Sequence, residues 1–184
     1  DLTQMDVVMQ EAYIGGIAAR NKGTISGCTV TGSIRATTIG SSKLDVGGIA
    51  GGNFRTITNC LNRADISCAS DSNAWIAAGG IVGYQGYNNL TTNGTVTSSV
   101  NFGSISATTT HATKTNLYTA GIAAYNYGPI TDSYYVDTAQ GVNNKGTKYT
   151  KNNTLTAFSA SDDGNAAVFP ALDFVSVWHI TNGK

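Results

Sequence analysis

Gly15-Gly16-Ile17-Ala18 returns as Gly47-Gly48-Ile49-Ala50, then as Gly79-Gly80-Ile81-Val82, then as Ala120-Gly121-Ile122-Ala123. The second glycines, Gly16, Gly48, Gly80 and Gly121, are spaced by 32, 32 and 41 residues, so the third copy carries an insertion. Self-similarity at this period marks a solenoid, in which a unit too small to bury its own apolar face stacks on its neighbours.

The match extends past the glycines. Asn21, Asn53, Gln85 and Asn126 stand five residues after each anchor. Ile25, Ile57 and Ile130 stand nine after, with Val96 as the displaced equivalent in copy three. Cys28, Cys60, Ser99 and Ser133 follow three residues further on, and Ile34, Ile66 and Ile105 come nine beyond the first aliphatic. Copy four lacks that last correspondence, so the regular repeat ends near Val136.

Each unit reads as three short extended pieces: G-G-I-A, T-I-x-x-C and G-S-I or A-D-I. All are too short for helices, are rich in Ile, Val and Thr, and are separated by turn residues. The expected fold is all-β: a right-handed parallel β-helix of about four coils with an irregular C-terminal cap. Handedness here follows from the rule for parallel crossovers. Residues 1–12 should start the first coil, 13–136 form the solenoid, and 137–184 cover its open end through Phe158, Phe169, Phe174 and Trp178. A cap is needed because a bare terminal coil offers a free strand edge.

Alternation along a strand sends Ile17, Ile49, Ile81 and Ile122 inward, with the small Ala19, Gly51, Gly83 and Ala124 two residues later. The glycines are structural, marking a narrow corner. The Asn21, Asn53 and Asn126 column suits a turn ladder, because Asn tolerates the left-handed conformation and stacked amides can hydrogen-bond.

Charged residues make up 12% of the 184 and the formal net charge is zero. Nucleic-acid binding needs a basic patch to displace counterions, and none is present. No apolar stretch reaches transmembrane length, so no membrane insertion is expected. The chain starts at Asp1 and stops at Lys184 mid-pattern, which suggests a monomeric fragment of a larger protein.

Little in the sequence points to catalytic chemistry. His111 and His179 have no acidic or cysteine partner nearby in sequence. Asp65 and Asp132 do not stack into the carboxylate group that glycan-cleaving β-helices need. Asp162-Asp163-Gly164-Asn165 lacks the spaced carboxylates of a calcium loop. No cofactor, metal or catalytic residue is expected. Cys28 and Cys60 fall at one position in neighbouring coils, where either a disulfide or a column of small side chains is possible; Cys68 is a third thiol. Thr29/Thr31, Thr56/Thr58 and Thr95/Thr97 are out of register, which argues against a ranked threonine array of the ice-binding kind.

Aromatics are unevenly placed. Tyr84 and Tyr125 share a repeat position that alternation points outward, with Trp75, Tyr87 and Tyr127 near in sequence. Exposed Tyr and Trp suit sugar rings or protein anchors. These five are the candidate ligand-binding residues.

The runs Gly-Gly-Ile-Ala-(x)3-Asn and Thr-Ile-(x)2-Cys-(x)5-Ile resemble the GLUG repeat of bacterial surface proteins. The likeness covers roughly residues 13 to 136, with Ile in place of the usual Leu after the glycines. It implies a non-enzymatic module of an exported protein: an adhesive or spacer segment at the cell surface, with a host glycan or host surface protein as partner. The family also occurs beside IgA-cleaving metallopeptidases, so a carbohydrate-binding or peptidase-accessory role is the alternative. The His-Glu-x-x-His motif of such peptidases is absent.

Overall fold

The computed structural model describes the backbone of residues 6–7 and, in full, residues 11–40, 42–86, 94–112, 116–136 and 154–179. The chain is a parallel β-solenoid whose every strand pairing among these residues is parallel. The sequence suggests three strands per coil; the structure has five. The second coil shows them: Lys43–Gly47, Ala50–Asn53, Thr56–Thr58, Leu61–Asn62 and Asp65–Ser70. Equivalent strands stack into five sheets, numbered I to V here in that order.

Two features account for the extra strands. The residues that lead up to each second glycine are a strand of their own, sheet I, paired in register from Glu11–Gly15 through Leu117–Ala120. The T-I-x-x-C phrase also divides in two. Its break is a left-handed residue in every coil: Gly27 (φ 66°), Asn59 (φ 53°), Ser98 (φ 47°) and Asp132 (φ 50°). Glycine and short polar residues tolerate this region best, and each is the hinge between sheets III and IV. The Asn21 column, expected to supply left-handed turns, does not; that role belongs to the Gly27 column.

Gly16, Gly48, Gly80 and Gly121 form the corner between sheets I and II. A Cβ on Gly48 would collide with the Gly80 carbonyl and the Asn62 side chain; one on Gly121 would strike the Tyr135 ring. Close approach, not a special dihedral, demands glycine.

The interior has two compartments. Between sheets I and V, Leu44, Val46 and Ile76 meet Ile34, Ile66 and Cys68. Between sheets II, III and IV, Ile49, Ile81 and Ile122 meet Ile57, Val96, Ile130 and Cys60. Burying each such side chain contributes about 1.5–3 kcal/mol. Ile17 departs from expectation. It is 47% exposed, while Ile49, Ile81 and Ile122 are at 0%. It belongs to the first coil, where Ile49 covers one side and no described residue stacks on the other. Ala19 is exposed as well. Gly51 and Gly83 do not face an open interior; they lie against the backbone of sheet I, at Ile14 and Val46.

Amide ladders tie the coils together. Asn21 Nδ2 donates to Asn53 Oδ1 at 2.8 Å, and Asn53 Nδ2 to Gln85 Oε1 at 3.4 Å. The same carboxamides bridge to backbone, as Asn53 Nδ2 does to the Thr95 carbonyl (3.0 Å). A second ladder joins Asn62 Nδ2 to Asn101 Oδ1 at 2.8 Å, buried beneath the glycine corner. Thus Asn21, Asn53, Asn62 and Asn101 bond coil to coil or to the backbone, as buried amides require.

At the C-terminal end, Leu155–Phe158 adds a fifth strand to sheet IV beside Ser133–Val136. Two short 3-10 turns follow, Ala160–Asp162 and Ala166–Val168. Phe158, Phe169, Phe174 and Trp178 pack together against Val100, Tyr134 and Val136.

Candidate functional site

The aromatic residues meet where sheet I folds against sheet II. Alternation in sheet I places Tyr13, Asp45, Ala77 and Tyr118 in one register column and Glu11, Lys43 and Trp75 in the next. In sheet II, Arg20, Gly52, Tyr84 and Tyr125 are in register. These columns form a seam running along the solenoid.

Its upper half is aromatic. Tyr84 and Tyr125 stack, with ring centroids 5.4 Å apart and planes inclined by 11°. Trp75 lies 4.7 Å from Tyr125 and 4.6 Å from Tyr118. Tyr127 packs edge-on to Tyr125 at 5.2 Å and donates its hydroxyl to Tyr125 Oη at 3.1 Å. Burial raises the Tyr125 phenol well above its usual range. The lower half carries charge. Lys43 Nζ sits 4.2 Å from the Tyr84 centroid, and Arg20 lies over Tyr13 and Phe54 at 4.9 and 5.0 Å. Such cation–π contacts contribute about 0.5–2 kcal/mol each.

Lys43 also bridges two carboxylates, Glu11 Oε1 at 2.6 Å and Asp45 Oδ2 at 2.8 Å. Asp45 is fully buried. Burial pushes its carboxyl up to about 6, against the opposing pull of the Lys43 charge. Burial also works against the ionised forms of Glu11 and Lys43. Their partners outweigh it, so Glu11 is held below its usual range and Lys43 above.

Four of the five candidate residues, Trp75, Tyr84, Tyr125 and Tyr127, therefore converge. Tyr87 lies outside the described residues. The expectation of open platforms needs refining. Tyr127 and Tyr118 are buried, while Tyr84, Tyr125 and Trp75 are partly exposed. Lys43 comes from the coil on one side of Tyr84 and Tyr125 from the coil on the other, so Tyr84 is not an open platform. Glu11, Tyr13, Arg20, Lys43, Asp45 and Phe54 were not legible as part of this group. The signal was there: E-A-Y-I-G, K-L-D-V-G and W-I-A-A-G align immediately before the glycines.

Other positions are structural in character. Cys28, Cys60 and Cys68 are free thiols. Cys60 Sγ donates to the Thr58 carbonyl (3.2 Å), just as Ser99 and Ser133 donate to Thr97 and Thr131 (2.9 Å each). The column braces the left-handed hinge. Burial pushes Cys60 up to about 11 and Cys68 to about 12. The threonines, expected out of register, are ranked on sheet III: Thr24, Thr56 and Thr95 align, as do Ser26, Thr58, Thr97 and Thr131. Thr29 lies in the next strand, on sheet IV, and so stands outside this array. Thr97 spends its hydroxyl on Thr58 Oγ1 at 3.0 Å. His111 and His179 are exposed. Among the described residues no group of three His, Cys, Asp or Glu is placed to hold a metal ion, and no helix is long and apolar enough to cross a membrane.

The first coil from Glu11 to Arg35 is matched by the family model of the GLUG motif. The chain carries a GLUG motif. That motif covers the lower end of the seam, Glu11, Tyr13 and Arg20. The later coils repeat the motif's architecture and change the seam residues, from Arg20 to Gly52 to Tyr84 and Tyr125. No curated protein and no solved structure matches the chain.

Proposed function

We propose that this GLUG repeat module is a non-enzymatic segment of an exported bacterial surface protein, and that it adheres to a host glycan through the seam. The carrying observation is the convergence of Trp75, Tyr84 and Tyr125 with Lys43 on one lateral face. Partly exposed aromatic edges, phenol hydroxyls and an ammonium are the groups that hold sugar rings and their hydroxyls. The ladders below supply a stiff scaffold, so little ordering is lost on binding.

A glycan array with the purified chain tests this. Binding should appear for at least one glycan class and should weaken about tenfold in Tyr84→Phe and Tyr125→Phe. Those variants remove hydroxyls and keep the packing. No binding to any glycan, or binding unchanged in both variants, would overturn the adhesive reading and leave a spacer.

A further inference from the structure

Two of the three cysteines fall at one repeat position in neighbouring coils. Cys28 follows the left-handed Gly27, and Cys60 follows the left-handed Asn59. The strands that come next are in register, Thr29 beside Leu61, and the Leu61 N–H donates to the Cys28 carbonyl at 2.8 Å. Cys28 and Cys60 therefore stand one parallel-strand spacing apart, about 4.8 Å. The Cα atoms of a disulfide are about 4.4–6.8 Å apart.

The buried sulfur points back toward the first coil. Cys60 Sγ lies 3.2 Å from the Thr58 carbonyl of its own coil and 3.9 Å from the Ile25 carbonyl of the coil that carries Cys28. Cys28 packs against the same core cluster and donates to the Ser26 carbonyl at 3.5 Å. Thiols are weak donors, so little is lost when these bonds are given up. The two sites differ in access. Cys28 is partly exposed and Cys60 is buried, where its thiol is pushed up to about 11. An oxidant in solvent therefore meets Cys28 first. The column continues as Ser99 and Ser133, which confines this chemistry to the first two coils. Cys68 has Ala36 and Ala107 as its register neighbours, so no second thiol stands beside it.

We propose that Cys28 and Cys60 form a disulfide when the chain meets a two-electron oxidant such as hydrogen peroxide, and that this bond staples the first coil to the second. Cys28 takes one oxygen from the peroxide, giving a sulfenic acid and one water. The Cys60 sulfur then attacks the Cys28 sulfur. The S–S bond forms, the S–O bond breaks, and the hydroxyl leaves with the Cys60 proton as a second water. Together the two thiols lose two electrons, and the peroxide is reduced. The staple lies where the stack is weakest. Ile17 is 47% exposed against 0% for Ile49, and Ala18–Asn21 and Thr24–Ser26 are the edge strands of their sheets among the described residues. Terminal units of a solenoid have one neighbour and open first. The bond closes a loop of one whole coil, which restricts the chain in its opened state.

The test is to treat the reduced full chain at low concentration with one equivalent of hydrogen peroxide. Thiol titration in denaturant should fall from three groups to one, the mass should drop by two hydrogens, and non-reducing peptide mapping should join Cys28 to Cys60 within one chain. Dithiothreitol should restore three thiols. Hydrogen exchange at Ala18–Asn21 and Thr24–Ser26 should slow about tenfold in the oxidised chain, with no such change in peroxide-treated Cys60→Ser. Circular dichroism checks that the variant folds; thiol count and peptide map of the unmodified chain decide the bond without it. Three thiols remaining, oxygen added to Cys28 with no bridge, a bridge to Cys68 or a bridge between chains would overturn the disulfide. Exchange that is the same in the bridged and reduced chains would overturn the staple.

Discussion

Lys43 Nζ lies 2.8 Å from Asp45 Oδ2, with Asp45 shut off from solvent in the seam between sheets I and II. The folded chain holds the Asp45 carboxyl at about 6, above its ordinary 3.8. A raised carboxyl means that the folded state binds the proton more tightly than the unfolded state. This group's contribution is therefore most favourable below the unfolded value and is lost as pH rises through about 6. Asp45→Asn keeps the shape and removes the titration. Its stability relative to the parent should rise across pH 4 to 6, by at most about 3 kcal/mol. Urea denaturation of both proteins over that range checks this; a constant difference would contradict a raised Asp45.

The amide ladder is asymmetric. Asn53 is bonded on both sides, by Asn21 and to Gln85, and also accepts from the Arg55 N–H. Asn126, at the last coil, accepts from the Gly128 N–H, but its Nδ2 has no partner among the described residues. Asn53→Ala should cost about 2–4 kcal/mol, since it strands several buried groups at once, and Asn126→Ala distinctly less. Chemical denaturation midpoints at constant m-value would rank them.

The aliphatic stack should show the same position dependence. Ile81→Ala opens a cavity between two covered neighbours and should cost about 3–4 kcal/mol. Ile17→Ala, half exposed on the first coil, should cost under about 1 kcal/mol. Equal losses would contradict the open end of that stack.

At the hinge, Asn59 occupies the left-handed region at φ 53°. Asn59→Gly should be neutral or stabilising, and Asn59→Val should destabilise by about 1–3 kcal/mol through backbone strain. Thermal melts of the pair give the sign directly.

The cysteine column makes a chemical prediction. Cys28 is partly exposed, while Cys60 and Cys68 are buried and held as thiols. A thiol reagent should label Cys28 first in native protein and all three after unfolding. Cys60→Ser should be tolerated within about 1 kcal/mol, because Ser99 and Ser133 already make the same bond to the carbonyl two residues back.

The repeat itself was legible, because stacking forces equivalent positions to solve the same packing problem. Ile49, Ile57 and Ile81 had to be apolar, and Gly48 had to be small. Five strands were not legible as five. A two-residue strand such as Leu61–Asn62 carries no periodicity, and its boundary is one left-handed residue, disguised as Gly27, Asn59, Ser98 and Asp132. Tyr84 and Tyr125 are legible because they occupy one repeat position; Lys43 and Asp45 are not, because their strand precedes the glycine phrase that marks the repeat.

The sequence alone thus determined a glycine-cornered parallel solenoid with its aliphatic and amide columns, since those are nearest-neighbour properties repeated at a fixed period. Only the tertiary structure decided where faces from different strands meet. The angle at the Gly48 corner turns sheet II onto sheet I, and that contact joins Tyr84 to Lys43 and buries Asp45. The seam depends on how whole sheets are inclined, a quantity set by side chains in every coil and encoded at no single position.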